Sequence, residues 1–206
     1  MNFYYKLARF LHVIFFRIFY NLKVKGLENI PKTGGLFLAS NHASYFDPPL
    51  IGTAIPNREV HFIARSTLFK NIIFSKIIKT FNAHPIERGK GPDQNWEYFI
   101  NLLKQGAVLV VFPEGTRTPD GNLQRGKSGF GRLVYLSKMP VYPVYIKGSY
   151  AAWPKGKRPA FKPITVIFGK KVDLNDLLSL PHEKKVLKTI SQRVMQAIEK
   201  LSIQDN

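Results

Sequence analysis

The sequence predicts an α/β fold: a single domain with a mostly parallel or mixed central β-sheet flanked by helices, preceded by an amphipathic helix suited to a membrane interface. Three observations carry this. Beyond Pro31, short apolar runs alternate with amphipathic stretches of helical length, the order that lays helices over the faces of a sheet. One run, residues 107–112, is apolar at every position, as a strand buried on both faces is. With 206 residues, 45% of them hydrophobic and 21% charged, the chain can fill one core without staples.

The elements follow in order. From Asn2 to Tyr20 nearly every residue is apolar or aromatic, interrupted by Lys6, Arg9, His12 and Arg17. Wound as a helix, those four fall within an arc of roughly 140°. Phe3, Leu7, Phe10, Leu11, Ile14, Phe15 and Ile18 fill the opposite side. A basic stripe opposite an aromatic and aliphatic face suits a helix lying in a bilayer surface. A core-packed helix and a cleaved signal peptide are the competing readings, the second opposed by Arg9 and Arg17 within the apolar region. No uncharged run approaches the ~20 residues that span a bilayer. Strands are expected at 35–40, 60–64, 83–86, 107–112, 141–146 and 164–168, and helices at about 48–55, 66–80, 92–104, 128–138 and 182–202. Pro92 fits the first turn of its helix. In the last helix Val186, Ile190, Val194, Ala197, Ile198 and Leu201 share a face. The expected division is an amphipathic helix over 1–21 and an α/β domain over 22–206.

Composition removes several functions. There is no cysteine, which excludes disulfides, zinc–thiolate sites, iron–sulfur centres and a cysteine nucleophile. Thirty-one Lys and Arg face 13 Asp and Glu, a net charge of +18. Such a field draws nucleic acid, anionic membrane or phosphorylated substrates. No nucleic-acid module signature is present, and the basic residues are spread along the chain.

Two motifs are decoys. Residues 121–128 match Gly-x-x-x-x-Gly-Lys-Ser letter for letter. A phosphate loop, however, leaves a buried strand directly, and here residues 116–120 intervene. His182 and Glu183 begin a zinc-protease pattern, but Val186 stands where its second histidine belongs. No Gly-x-Ser-x-Gly elbow is present.

Two clusters carry chemistry. Asn41, His42, Asp47 and Pro48 directly follow an expected strand, where α/β folds take ligands. An Asp curled back to an imidazole fixes its tautomer, and the free ring nitrogen is then a general base. A capping cluster at a loop-to-helix junction has the same residues. The second cluster, Phe112, Pro113, Glu114, Gly115, Thr116 and Arg117, also leaves a strand. It joins a carboxylate, a glycine for close backbone approach and an arginine suited to bidentate phosphate binding. Arg88, after the expected strand 83–86, is a further convergent cation.

Together these residues resemble the 1-acyl-sn-glycerol-3-phosphate acyltransferase family. Its first block, Asn-His-x₄-Asp, matches Asn41, His42 and Asp47. Its second, an apolar strand ending in Arg, resembles residues 83–88. Its third, Phe-Pro-Glu-Gly-Thr-Arg, matches residues 112–117, with Thr118 where Ser often follows. Its fourth, an apolar strand with proline, resembles residues 141–146. Arg65 stands where the family often has Lys, and Lys127 matches a basic position before the fourth block.

The resemblance implies acyl transfer onto the sn-2 hydroxyl of a lysophosphatidic acid, giving phosphatidic acid. His42 and Asp47 would be catalytic. Arg88 and Arg117, with Arg65, would hold the phosphate, Glu114 would place the glycerol, and Gly115, Thr116 and Lys127 would complete the substrate-binding set. The co-substrate would be acyl-CoA or acyl-carrier protein, with no metal and no other cofactor. The expected partners are an anionic membrane surface and the lysophospholipid, with no nucleic acid, and the expected place is the cytoplasmic face of a membrane, bound to one leaflet. Another lysolipid or glycerol 3-phosphate as acceptor, a thioesterase, and a non-enzymatic basic membrane-binding module remain alternatives.

Overall fold

A computed structural model describes residues 3–86 and 96–204. These form one seven-stranded sheet: β1 (Lys23–Lys25), β2 (Leu36–Ser40), β3 (Val60–Arg65), β4 (Ala83–Ile86), β5 (Val108–Val111), β6 (Val141–Lys147) and β7 (Thr165–Phe168). The order is β1-β7-β6-β2-β5-β3-β4. The five strands from β6 to β4 are mutually parallel. β7 runs antiparallel to β6, and β1 is parallel to β7, so the sheet is mixed.

Alternate residues of each strand enter two cores. Leu36, Leu38, Val108 and Val110 point to the first, with Leu50 and Ile51 of α2 (Asp47–Ala54) and Phe16 of α1 (Phe3–Tyr20). Phe37, Ala39 and Leu109 point to the second. That core is closed by α4 (Trp96–Lys104), α5 (Ser128–Ser137) and α8 (Lys184–Gln204). The period of two in the strands thus meets two helical layers, which is why β2 and β5 have no polar face. In α8, Val186, Ile190, Val194 and Ile198 are buried at helical spacing.

The remaining helices are α3 (Ile72–Thr80), α6 (Ser149–Ala152) and α7 (Asn175–Leu178). The expected helix over 66–80 is divided: a 3₁₀ turn, Ser66–Phe69, precedes α3. The break is Asn71, whose extended backbone and Oδ1, accepting from Phe74 N–H at 2.9 Å, start a new helix. β1, α6 and α7 had no counterpart in the sequence reading. Pro92 and Arg88 lie outside the described residues.

The first helix uses both faces. Tyr5, Phe16 and Tyr20 are buried in the first core. The stripe containing Arg9 and His12 also turns inward: Arg9 Nε donates to Ile55 O at 3.0 Å, and the His12 ring meets Phe81 edge-on at 5.4 Å. Burial lowers the Arg9 guanidinium from its usual range. This corrects the expectation of a basic stripe given over to the bilayer surface: at Arg9 a bond to a domain carbonyl holds the side chain. Leu7, Phe10, Leu11, Ile14, Phe15 and Ile18 are exposed, as a lipid-facing side would be. Among the described residues no helix is long and apolar enough to cross a membrane.

Helices α5 and α8 touch through backbone at Gly131, where an added Cβ would lie 1.9 Å from Leu187 O. Gly131→Ala therefore forces the helices apart. The expected loss is about 1–3 kcal/mol, read as a lower denaturant midpoint, and an unchanged midpoint would contradict this close approach.

Candidate active site

β2 and β5 are neighbours whose crossovers leave to opposite layers, α2 over the first core and α5 over the second. Their carboxyl ends open a crevice at this switch point, the place where open α/β sheets bind ligands. His42 follows β2 by two residues, and residues 112–117 follow β5 directly.

Asp47, in the first turn of α2, is fully buried. Its Oδ2 accepts from Ala43 N–H at 2.6 Å and Ser44 N–H at 2.7 Å, and lies 2.9 Å from His42 Nδ1. An ionised carboxylate only accepts, so Nδ1 carries the proton toward it and Nε2 keeps a lone pair. Pro48 and Pro49 sit in the same first turn, where their missing N–H groups cost no helical bond. The imidazole stacks on Phe112, with ring centroids 4.0 Å apart and planes 19° apart. The His42 side chain remains 18% exposed.

The second loop holds the first. Glu114 is buried, and its Oε1 accepts from His42 N–H at 2.8 Å while Oε2 accepts from Gln124 N–H at 3.2 Å. Thr118 N–H donates to His42 O at 2.8 Å. The His42 peptide is thus gripped on both sides. Burial pushes the Glu114 carboxyl up to about 7, against the lowering pull of its two N–H donors, and the Asp47 charge adds to the rise. The sequence reading set Glu114 against an acceptor's glycerol; this geometry gives both its oxygens to backbone. Gln124 belongs to the Gly-rich decoy, so that loop spends an N–H on a protein carboxylate. Asn41 pins the crevice to β6, accepting from Ile146 N–H at 2.8 Å and donating to Ile146 O at 3.1 Å.

Arg117 lies 3.5 Å above the Tyr45 ring, a cation–π contact that fixes its plane. Its Nη1 is buried and has no partner among the described residues. Gly115 has φ +69°, and a Cβ there would sit 3.2 Å from Lys127 Cδ, so the turn needs glycine to let Lys127 lie across it. Thr116 is exposed beside it. Arg65 ends β3 at the same edge of the sheet and is exposed; Arg88 is outside the described residues. The structure thus gathers His42, Asp47, Glu114, Gly115, Thr116, Arg117 and Lys127 around one crevice. Tyr45, Phe112 and Asn41 had no assigned role, although all three stand inside the motif blocks. Beside the crevice an apolar groove of about 450 Å³ runs between α1, at Leu11, Phe15 and Phe16, and Tyr45, Phe46 and Trp153.

Comparison with known proteins identifies the family and the fold. Residues 21–147 match the Acyltransferase family model. The chain is 27% identical over 186 residues to the 1-acyl-sn-glycerol-3-phosphate acyltransferase of Bacillus subtilis, covering 87% of this chain and 89% of that protein. It is 41% identical over 161 residues to the Limnanthes alba protein of the same name, covering 75% of this chain and 56% of that one. It is 31% identical over 142 residues to the one from Cocos nucifera, covering 66% of this chain and 45% of the coconut protein. The chain thus spans about half the length of these plant relatives. The crystal structure of the 1-acyl-sn-glycerophosphate (LPA) acyltransferase PlsC from Thermotoga maritima superposes with a TM-score of 0.76 at 28% identity, covering 96% of this chain and 79% of that one.

The raised Glu114 carboxyl sets a pH dependence. The folded state holds this proton more tightly than the unfolded one, so stability is fullest below pH 4.5 and falls as pH rises to about 7. In Glu114→Gln this contribution, about 3 kcal/mol, disappears from the pH profile. The amide also turns a donor toward one of the two backbone N–H groups, which lowers stability at acid pH. Denaturant midpoints across that range check both effects; parallel profiles for the two proteins would refute them.

Proposed function

The chain belongs to the acyltransferase family, and on that premise we propose that it moves a fatty acyl group from an acyl thioester to the sn-2 hydroxyl of 1-acyl-sn-glycerol 3-phosphate, giving phosphatidic acid. The observation that carries this reading is the His42–Asp47 pair, with Nδ1 on a buried carboxylate and Nε2 left to meet a substrate hydroxyl.

In this mechanism His42 Nε2 takes the hydroxyl proton as the oxygen attacks the thioester carbonyl. Asp47 holds the imidazolium that forms. The tetrahedral intermediate collapses, the C–S bond breaks, and the leaving thiolate takes the proton back from Nε2. Phe112 packs against the ring and keeps it from turning away. Glu114 serves the chemistry through the His42 peptide that it holds. No metal or further cofactor takes part; the donor is acyl-CoA or acyl-carrier protein.

The acceptor's phosphate falls to Arg117, whose Nη1 needs an acceptor, with Lys127, Arg65 and Arg88 supplying further charge and Gly115 and Thr116 forming the turn below. Orphaned buried donors are costly, and an anion held by the guanidinium fork removes that cost. The apolar groove beside Tyr45 and Phe46 suits a hydrocarbon chain. The exposed apolar side of α1 supports attachment to one leaflet, and the proposed side is the cytoplasmic face, where thioester donors are found.

His42→Ala is expected to lower turnover by ~10²–10⁴-fold with the fold intact by circular dichroism, and Asp47→Asn severely, because it loosens the 42–47 turn as well as the ring. Thiol release from oleoyl-CoA with 1-acyl-glycerol 3-phosphate is the assay; retention of a tenth of the activity in both variants would sink the mechanism. Repeating it with glycerol 3-phosphate and without acceptor separates the other acceptors and hydrolysis.

Arg117→Lys keeps the charge and loses the planar fork and the stack on Tyr45. The KM for lysophospholipid is expected to rise about tenfold, with the KM for thioester little changed. A rise confined to the thioester would put Arg117 on the donor.

Deleting α1 would remove Tyr5, Phe16 and Tyr20 from the core, so the membrane reading is better tested at exposed positions. Phe10→Ser with Ile18→Ser should weaken binding to anionic vesicles about tenfold or more without lowering the thermal midpoint. Undiminished sedimentation with vesicles would leave α1 no lipid role.

A further inference from the structure

Helix α3 is apolar on the side that faces away from the protein. Ile72 and Ile73 are 73% and 74% exposed, and Phe74, Ile77 and Leu68 of the preceding 3₁₀ turn are also exposed. Only Ser75 of the nine residues is buried. A helix in this position normally turns its apolar side to the sheet; here that side has no protein cover among the described residues. Isolated exposed apolar residues are ordinary, but a contiguous set marks a contact surface.

Charge identifies what the surface meets. Residues 60–86 contain no Asp or Glu, while Arg65, Lys70, Lys76 and Lys79 are all exposed around the apolar strip. Residues 1–27 are equally free of acids. The two segments adjoin, since His12 of α1 packs edge-on against Phe81, the residue that ends α3. α1 packs with α2 on the first core. The crossover through α3 moves across the parallel strands in the same direction as that through α2, which right-handed connection puts on the same face of the sheet. The outward sides of α1 and α3 therefore look away from one face. An aliphatic strip ringed by cations, with no acid within it, is complementary to an anionic bilayer surface.

We propose that α3 is a second membrane-inserting element, and that α1 and α3 together dock one whole face of the molecule on an anionic lipid bilayer. Ile72, Ile73, Phe74 and Ile77 enter the acyl boundary, and Lys70, Lys76 and Lys79 meet the phosphates. Two inserted helices fix the tilt of the domain relative to the membrane normal, whereas one helix leaves it free to roll about its own axis. The turn leading into α3 begins at Arg65, on the sheet edge that carries His42 and Arg117, so this orientation sets the crevice at the lipid headgroups.

The test needs no substrate and is independent of the acyl-transfer reading. The chain has no cysteine, so Ile73→Cys in the full-length protein takes a single environment-sensitive dye. Glu199→Cys, on the exposed side of α8, is the control. With vesicles of phosphatidylcholine and phosphatidylglycerol, the dye at 73 is expected to shift to the blue and to lose most of its quenching by aqueous iodide. The dye at 199 should change in neither respect. Ile73→Gln with Ile77→Gln keeps helix propensity and should reduce binding about tenfold, with unchanged circular dichroism. Lys76→Gln with Lys79→Gln should reduce binding to anionic vesicles and leave that to phosphatidylcholine alone unaltered. The proposal is overturned if iodide quenches position 73 equally with and without bound vesicles. It is also overturned if the wild type is a dimer in buffer that Ile73→Gln with Ile77→Gln dissolves, because the strip would then be a protein interface.

Discussion

Everything at the crevice depends on one buried oxygen. Oδ2 of Asp47 receives two backbone N–H groups and the His42 ring nitrogen at once. Three donors converging on one atom bend residues 42–47 into a closed turn, start α2 and aim the imidazole in a single step. The carboxylate is sheltered from water, so its attraction to these donors is little screened. The same burial makes the arrangement intolerant: take away the charge and the turn, the helix start and the ring orientation lose their common anchor together.

The sheet supplies what that turn cannot. Two strands adjacent in space but distant in sequence end side by side, and their loops bind each other by backbone. Glu114 and Thr118 hold the N–H and C=O of the His42 peptide, and Asn41 ties the same segment to β6. The position of the imidazole is therefore shared by three parallel strands, a rigid mount of the kind that precise chemistry requires. The loop that carries Arg117 belongs to this mount, so a headgroup held there is set at a fixed place relative to Nε2.

Much of this was legible in the sequence. The α/β class, six of the seven strands and the five longer helices of the domain follow from apolar runs, and both motif blocks stand where the crevice lies. What escaped has physical reasons. β1 is three residues, all exposed, and exists through pairing with β7, a partner some 140 positions away. No local pattern announces such a strand. The division of 66–80 turned on the single cap Asn71. The direction in which α1 faces depended on what covers it: period alone places Arg9 and His12 on one stripe without saying that the domain would claim it. Tyr45 under Arg117 and the two N–H groups on Glu114 are long-range contacts, invisible in spacing. The roles of Glu114 and Tyr45 thus came from tertiary structure, while the identity of His42 and Asp47 as partners came from their separation of five.

A helix with one side in the core and the other apolar and outward has few neutral positions. Along α1, Tyr5, Phe16 and Tyr20 answer to shape, because they fill a close-packed interior where a methylene matters. Leu7, Phe10, Ile14 and Ile18 answer only to oiliness, because an outward face has no fixed cavity to match. Evolutionary drift along these first twenty residues is thus filtered by two different rules that alternate every few positions. Exchange among Leu, Ile, Phe and Met should be frequent on the outer rows and scarce on the inner one. The sequence of this segment can therefore diverge widely between related chains while its two-sided pattern persists.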